Sequence, residues 1–133
     1  MFRLFATIAA IGAFVMGAMQ ISARVESSGW SDYDVAEFVM AQEKGKTIIV
    51  ELYSDDCAAC EQQAVTMSEL RSALQDRDIL FVKVDFEEQQ EFVRDNAIDE
   101  PATILVFNGS DEVVRSVNQT GAEALRREVM NSI

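Results

Sequence analysis

The stretch YSDDCAAC, Tyr53 to Cys60, holds the chain's only two cysteines, two alanines apart and directly behind Asp55 and Asp56. A cysteine reacts as its thiolate, which positive surroundings favour, so two carboxylates against the first sulfur oppose its activation. The pair nevertheless follows a short apolar run, TIIVELY, and opens a segment of helical periodicity, CAACEQQAVTMSELRSALQ. At a helix N-terminus the unpaired N–H groups and the helix dipole favour an anion, so Cys57 stands where a thiolate is stabilised. Cys60, one turn further on, is close enough to close a disulfide with it. Such a pair can trade electrons with another disulfide through a mixed-disulfide intermediate. Other readings stay open: a structural bridge, although a loop this short restricts the unfolded chain little; a Cu(I) pair; or two small apolar residues packed in a core. There is no second cysteine pair to complete a tetrahedral zinc site, and no metal is expected.

Composition removes other chemistries. The chain has no histidine, which excludes Ser/His and Cys/His catalysis and imidazole metal sites. Against 11 Lys and Arg stand 23 Asp and Glu, a net charge of −12. Nucleic-acid binding depends on Lys and Arg neutralising phosphates, so it is excluded too. A length of 133 residues suits one domain with one core.

The elements that must position the cysteines can be read from periodicity. SDYDVAEFVMAQEKGK predicts a helix capped by Ser31 or Asp32, with Val35, Phe38 and Val39 inward and Gly45 as its stop. TIIVELY is β-branched and nearly all apolar, as a central strand covered on both faces would be. The cysteine helix sets Val65, Met67, Leu70 and Leu74 on its apolar side. ILFVKVDF predicts a second buried strand, followed by the acidic helix EEQQEFVRDN. ATILVF and EVVRSV form a hairpin across NGSD. The last helix has a capping box in Thr120 and Glu123 and aligns Ala122, Leu125, Val129 and Ile133. The resulting order, α-β-α-β-α-β-β-α, predicts an α/β fold: a mixed sheet of about four strands with helices on both faces.

TIIVELYSDDCAACEQQ, LFVKVDF and ATILVFNGSDEVVRSV together resemble the thioredoxin family. The lead-in WSDYDVAEFVMAQEKGKTIIVELY looks most like periplasmic thioredoxin-like domains such as the C-terminal domain of DsbD. The resemblance implies a thioredoxin-like fold and thiol–disulfide exchange, with Cys57 as nucleophile and Cys60 as the resolving thiol. It implies no cofactor beyond a redox-active Cys57–Cys60 disulfide. The family's buried acid, six residues before the first cysteine, falls on Glu51; an unpaired carboxylate inside an apolar strand is costly, so it is either at an exposed strand end or held there for a purpose. In the family this acid exchanges a proton with the resolving thiol. Lys83 matches the lysine the family sets near that acid; its alternative is an ordinary lysine reaching to the surface.

Two departures from the family stand out. Asp56 replaces the tryptophan usual before the first cysteine. The family's cis-proline, whose preceding residue pairs with substrate through its backbone, aligns without a gap on Ala102. A cis bond before alanine costs about 3 kcal/mol, against about 1 or less before proline. A one-residue shift of the loop therefore makes Pro101 the candidate cis-proline, with Glu100 and Ala102 beside it as substrate-binding positions; otherwise the feature is missing. By bond energetics alone Pro101 is trans, since only about 5% of prolyl bonds are cis.

The aspartates modulate the site. A charge about 7 Å from a sulfur in water-like surroundings shifts it by roughly 0.4 pKa unit, about as much as a helix terminus gives back. Asp56 is also a candidate N-cap for the cysteine helix. A thiolate without special stabilisation makes the pair a better reductant.

The N-terminus, MFRLFATIAAIGAFVMGAMQISARVE, has one basic residue, Arg3, before an apolar run and small residues at Ala18, Ser22 and Ala23. It predicts a signal peptide over residues 1–23, or an uncleaved membrane anchor of the same extent, ahead of a thioredoxin-like domain over 24–133. Either form exports the cysteines to an oxidising, periplasmic compartment. The expected function is an exported thiol–disulfide oxidoreductase poised as reductant or isomerase. Its partners would be exported proteins or a membrane electron donor with reactive thiols or disulfides; the chain would be a monomer, touching membrane only through residues 1–23. The competing functions are a non-catalytic binding module with a structural disulfide and a Cu(I) metallochaperone.

Overall fold

The computed structural model describes residues 29–133. Along them run β1 (Ser31–Asp32), α1 (Val35–Glu43), β2 (Thr47–Tyr53), α2 (Ala58–Ala73), β3 (Ile79–Asp85), α3 (Gln90–Asp95), β4 (Thr103–Asn108), β5 (Asp111–Val117) and α4 (Ala122–Met130). The leader or anchor expected over 1–23, and the start of the domain at 24, lie outside the described residues. Among the described residues no helix is long and apolar enough to cross a membrane.

The sheet has five strands in the order β1-β3-β2-β4-β5. β3 is parallel to β1 and to β2, and β4 is antiparallel to β2 and to β5. β2 is the middle strand, and Ile48 to Leu52 are all buried, as its unbroken apolar run requires. Alternation then divides its side chains between two cores. Ile48, Val50 and Leu52 meet Phe38 and Ala41 of α1 and Phe92 and Val93 of α3. Ile49 meets Met67 and Leu70 of α2 and Leu125 and Val129 of α4. Register fixes where chemistry can sit. Tyr53 pairs with Asp85, Leu52 with Thr103, and Thr103 with Val117, so β2 and β3 end where β4 begins and β5 ends. Helix α2 starts at that same end of the sheet.

Four details differ from the sequence reading. Ser31 and Asp32 do not cap α1; they pair with Val82 and Lys83 as the fifth strand, and Asp34 caps the helix by accepting the Glu37 N–H at 2.9 Å. Val35 and Val39 are 61% and 42% exposed, because a nine-residue helix buries one stripe and the larger Phe38, with Ala41, takes it. Val65 likewise faces out at 63%, while Met67, Leu70 and Leu74 pack inward. Thr120 and Glu123 form no capping box: Gly121 is the N-cap, its N–H is taken by the Gln119 side chain at 3.0 Å, and Ala122 is exposed.

Phe38 sits in edge-to-face contact with Tyr33, Phe92 and Phe107, at centroid separations of 5.7, 5.5 and 5.5 Å. Phe38→Ala should therefore destabilise the domain by about 3–5 kcal/mol in urea unfolding. Val39→Ala, one residue away on the exposed side, should stay within about 0.5 kcal/mol. Equal losses would mean that α1 is packed in a different rotation.

Candidate active site

Cys57 is the N-cap of α2. Its backbone is extended, at φ −124° and ψ 96°, and its Sγ accepts the Cys60 N–H at 3.1 Å. One sulfur thus takes a donor that helix geometry leaves unpaired. Asp56, the candidate cap, does not fill that position, and Asp55 and Asp56 are both exposed. Cys57 and Cys60 are disulfide-bonded, with their Cα atoms 5.2 Å apart. The two sulfurs are unequal in access: Cys57 is partly exposed, whereas Cys60 is 5% exposed and belongs to the buried stripe of α2.

Glu51 lies inside β2, 2% exposed, with Lys83 of β3 and Ile104 of β4 as its neighbours in register. By strand alternation it shares the face of Ile49, which α2 and α4 cover. It is therefore not at an exposed strand end. Burial pushes its carboxyl above the ordinary range, and the positive charge of Lys83 pulls it part of the way back. The Lys83 ammonium does not run free to solvent either. It lies over the rings of Trp30 and Tyr53, at 5.7 and 5.9 Å from their centroids. Neither ring was singled out by sequence, although Tyr53 follows Glu51 at the strand period of two.

The loop before β4 corrects one expectation. There is no cis peptide bond among the described residues, so Pro101 is trans, the lower-energy form of a prolyl bond by about 0.5–1 kcal/mol. The loop is held by local hydrogen bonds instead: the Pro101 carbonyl accepts the Thr103 N–H at 2.6 Å, and the Glu100 carbonyl accepts the Thr103 hydroxyl at 2.7 Å. Ala102 is buried, and its carbonyl accepts the Asn118 N–H at 2.8 Å. Glu100 is exposed and hydrogen-bonded by the Asn118 side chain, and Pro101 is partly exposed, so these two form the outward side of the loop.

Gln63 was missed. It is 1% exposed, and its amide nitrogen donates to the carbonyls of Ala102 and Gln119, each at 3.2 Å. Its position was readable: 60, 63, 67, 70 and 74 make one helical stripe, and Gln63 is the polar residue on it.

The Thioredoxin family model matches residues 31–131. The chain belongs to the thioredoxin family. Among solved structures this thioredoxin-family chain is similar to Trxlp from Edwardsiella tarda EIB202, at 28% identity and a TM-score of 0.69, over 74% of this chain and 95% of that one. Thioredoxin NaTrxh from Nicotiana alata is similar at 19% identity and 0.69, over 80% and 95%. Thioredoxin from Trypanosoma brucei brucei is similar at 16% and 0.67, over 84% and 96%. These last two speak for the fold alone. No curated protein matches the chain. The family and the bonded C-x-x-C pair together support thiol–disulfide exchange at this end of the sheet.

Because the Glu51 carboxyl is raised in the folded protein, the native state binds its proton more tightly than the unfolded chain does. That contribution to stability is complete below the unfolded value, about 4.3, and is lost as pH rises through the folded value. Glu51→Gln removes the titration. In urea unfolding across pH 3 to 9, the variant should gain on the wild type as pH rises, with the gap constant below about pH 4. Parallel curves throughout would mean that Glu51 titrates as an ordinary carboxyl.

Proposed function

We propose that this protein is an exported thiol–disulfide oxidoreductase that carries electrons to disulfides of other exported proteins, poised as a reductant or isomerase. The observation that carries the reading is the asymmetry of the pair. Cys57, partly exposed at the N-cap of α2, can be reached by another protein, while Cys60 is buried behind it on the face that also buries Glu51.

In the reduced protein the Cys57 thiolate attacks one sulfur of a substrate disulfide. That S–S bond breaks, the departing sulfur takes a proton, and Cys57 is left in a mixed disulfide. Cys60 then gives its proton to Glu51, whose raised carboxyl is better matched to a thiol than an ordinary one. The Cys60 thiolate attacks Cys57 Sγ, the Cys57–substrate bond breaks, and the Cys57–Cys60 disulfide forms. The second substrate sulfur departs and takes a proton from water, while Glu51 returns its own to water. Two electrons and two protons have passed to the substrate. A dithiol donor, at the membrane or in solution, restores the pair. Lys83 stands beside Glu51 and moderates its charge. The outward side of the loop at Glu100 and Pro101 borders the incoming substrate.

Reducing poise is supported by the charges around Cys57. The Cys60 N–H favours a thiolate at Cys57, and the exposed carboxylates of Asp55 and Asp56 oppose one. Export is supported by Arg3 ahead of the apolar run.

Cys60→Ser tests the assignment. With no resolving thiol, Cys57 should hold its partners as mixed disulfides in the intact cell. These should separate under reducing conditions and be absent from the Cys57→Ser, Cys60→Ser double variant. Exported proteins among the trapped partners support the reading; trapping through neither cysteine contradicts it.

A further inference from the structure

A disulfide offered to Cys57 by another protein must lie against whatever borders this end of the sheet. The registers name the borders as the first turn of α2, the loop that enters β4 at Thr103, and the loop that leaves β5 at Val117. The two loops are irregular; the Asn118 N–H donates to the Ala102 carbonyl one residue beyond the Thr103–Val117 pair, which joins them to each other but not to α2. Gln63 reaches both from the helix. Its side-chain nitrogen donates to the same Ala102 carbonyl in the first loop and to Gln119 in the second. Both loops are thereby tied to α2 one turn beyond Cys60.

Stability alone does not explain a glutamine at this position. Its Oε1 is buried without a partner among the described residues, and an unpaired buried acceptor costs about as much as neutral hydrogen bonds return. Methionine, unbranched and of similar length, would continue the stripe of Met67, Leu70 and Leu74 without that penalty. Local cost kept without a gain in stability is characteristic of functional sites. We propose that Gln63 is a positioning residue for protein disulfides: it couples the Glu100–Ala102 and Asn118–Gln119 loops to the active-site helix, so that the surface beside Cys57 keeps one shape while a folded partner docks. Gln63 touches neither the sulfurs nor the substrate. A small disulfide, which needs no such surface, is indifferent to it. The inference rests on the thiol–disulfide reading above.

The test is Gln63→Met, which removes the donor and the unpaired acceptor together at nearly constant volume. Three quantities are measured: the melting temperature, amide hydrogen exchange at Asn118, and the rates at which the reduced protein reacts with insulin and with a small aromatic disulfide. The melting temperature should equal or exceed that of the wild type. Exchange at Asn118 should rise about tenfold or more as the loops loosen. The insulin rate should fall about tenfold, with the small-disulfide rate within about twofold, since misplaced docking groups slow only the partner that uses them. Unchanged exchange at Asn118, or equal losses with both disulfides, would overturn the proposal. Gln63→Leu gives the same split should the methionine variant fold poorly. A wild type inert to both disulfides would remove the thiol–disulfide reading, and exchange at Asn118 would still decide for or against Gln63.

Discussion

β2 lies between β3 and β4 with helices over both faces, and such a strand has no place for a charge that it does not hold at a cost. Its single carboxylate, Glu51, is on the face that α2 and α4 cover. Much of the site follows from that placement. The carboxyl is raised by its burial, Lys83 alongside limits the rise, and Trp30 and Tyr53 hold the lysine's ammonium at the sheet. The strand's end also fixes where α2 begins, and so fixes Cys57 at a helix N-terminus. One covered strand therefore supplies both the acid and the platform for the thiols.

The aspartates before Cys57 are less contradictory in this setting. They are exposed, where water screens them, while the Cys57 sulfur itself takes the N–H that a capping aspartate would have claimed. A helix N-terminus attracts an anion and exposed carboxylates repel it by amounts of similar size. The proposed reducing poise needs that balance, since a nucleophile without special stabilisation gives the reduced pair little extra stability. The loop opposite is secured by side-chain contacts: Thr103 and Asn118 hold it from its own end of the sheet, and Gln63 reaches it from α2.

Strong periodicities were legible in the sequence. The run from Ile48 to Leu52 announces a central strand because a short, β-branched, nearly all-apolar segment fits a strand covered on both faces, and the cysteines open α2 as their spacing predicts. Less legible was which of several equivalent residues would face in. On α1 the side chains of Val35, Phe38 and Val39 compete for one stripe, and the partner surface decides in favour of Phe38. β1 was hidden because two residues carry no period, and its pairing with β3 is a long-range contact. The site residues missed by sequence, Gln63 and Trp30, act across the fold on segments distant in the chain. Pro101 shows the opposite limit: bond energetics pointed to trans, and the family's pattern pointed elsewhere.

The account turns on a cysteine pair that exchanges electrons and sits toward the reducing side. Equilibration of the protein with glutathione buffers of graded poise, with the reduced fraction read by thiol alkylation, measures both properties at once. The account predicts reversible exchange with a midpoint more negative than about −200 mV. A pair that stays oxidised in every buffer would be a structural bridge, and a midpoint near about −120 mV would mark a strong oxidant. Either result would contradict the account.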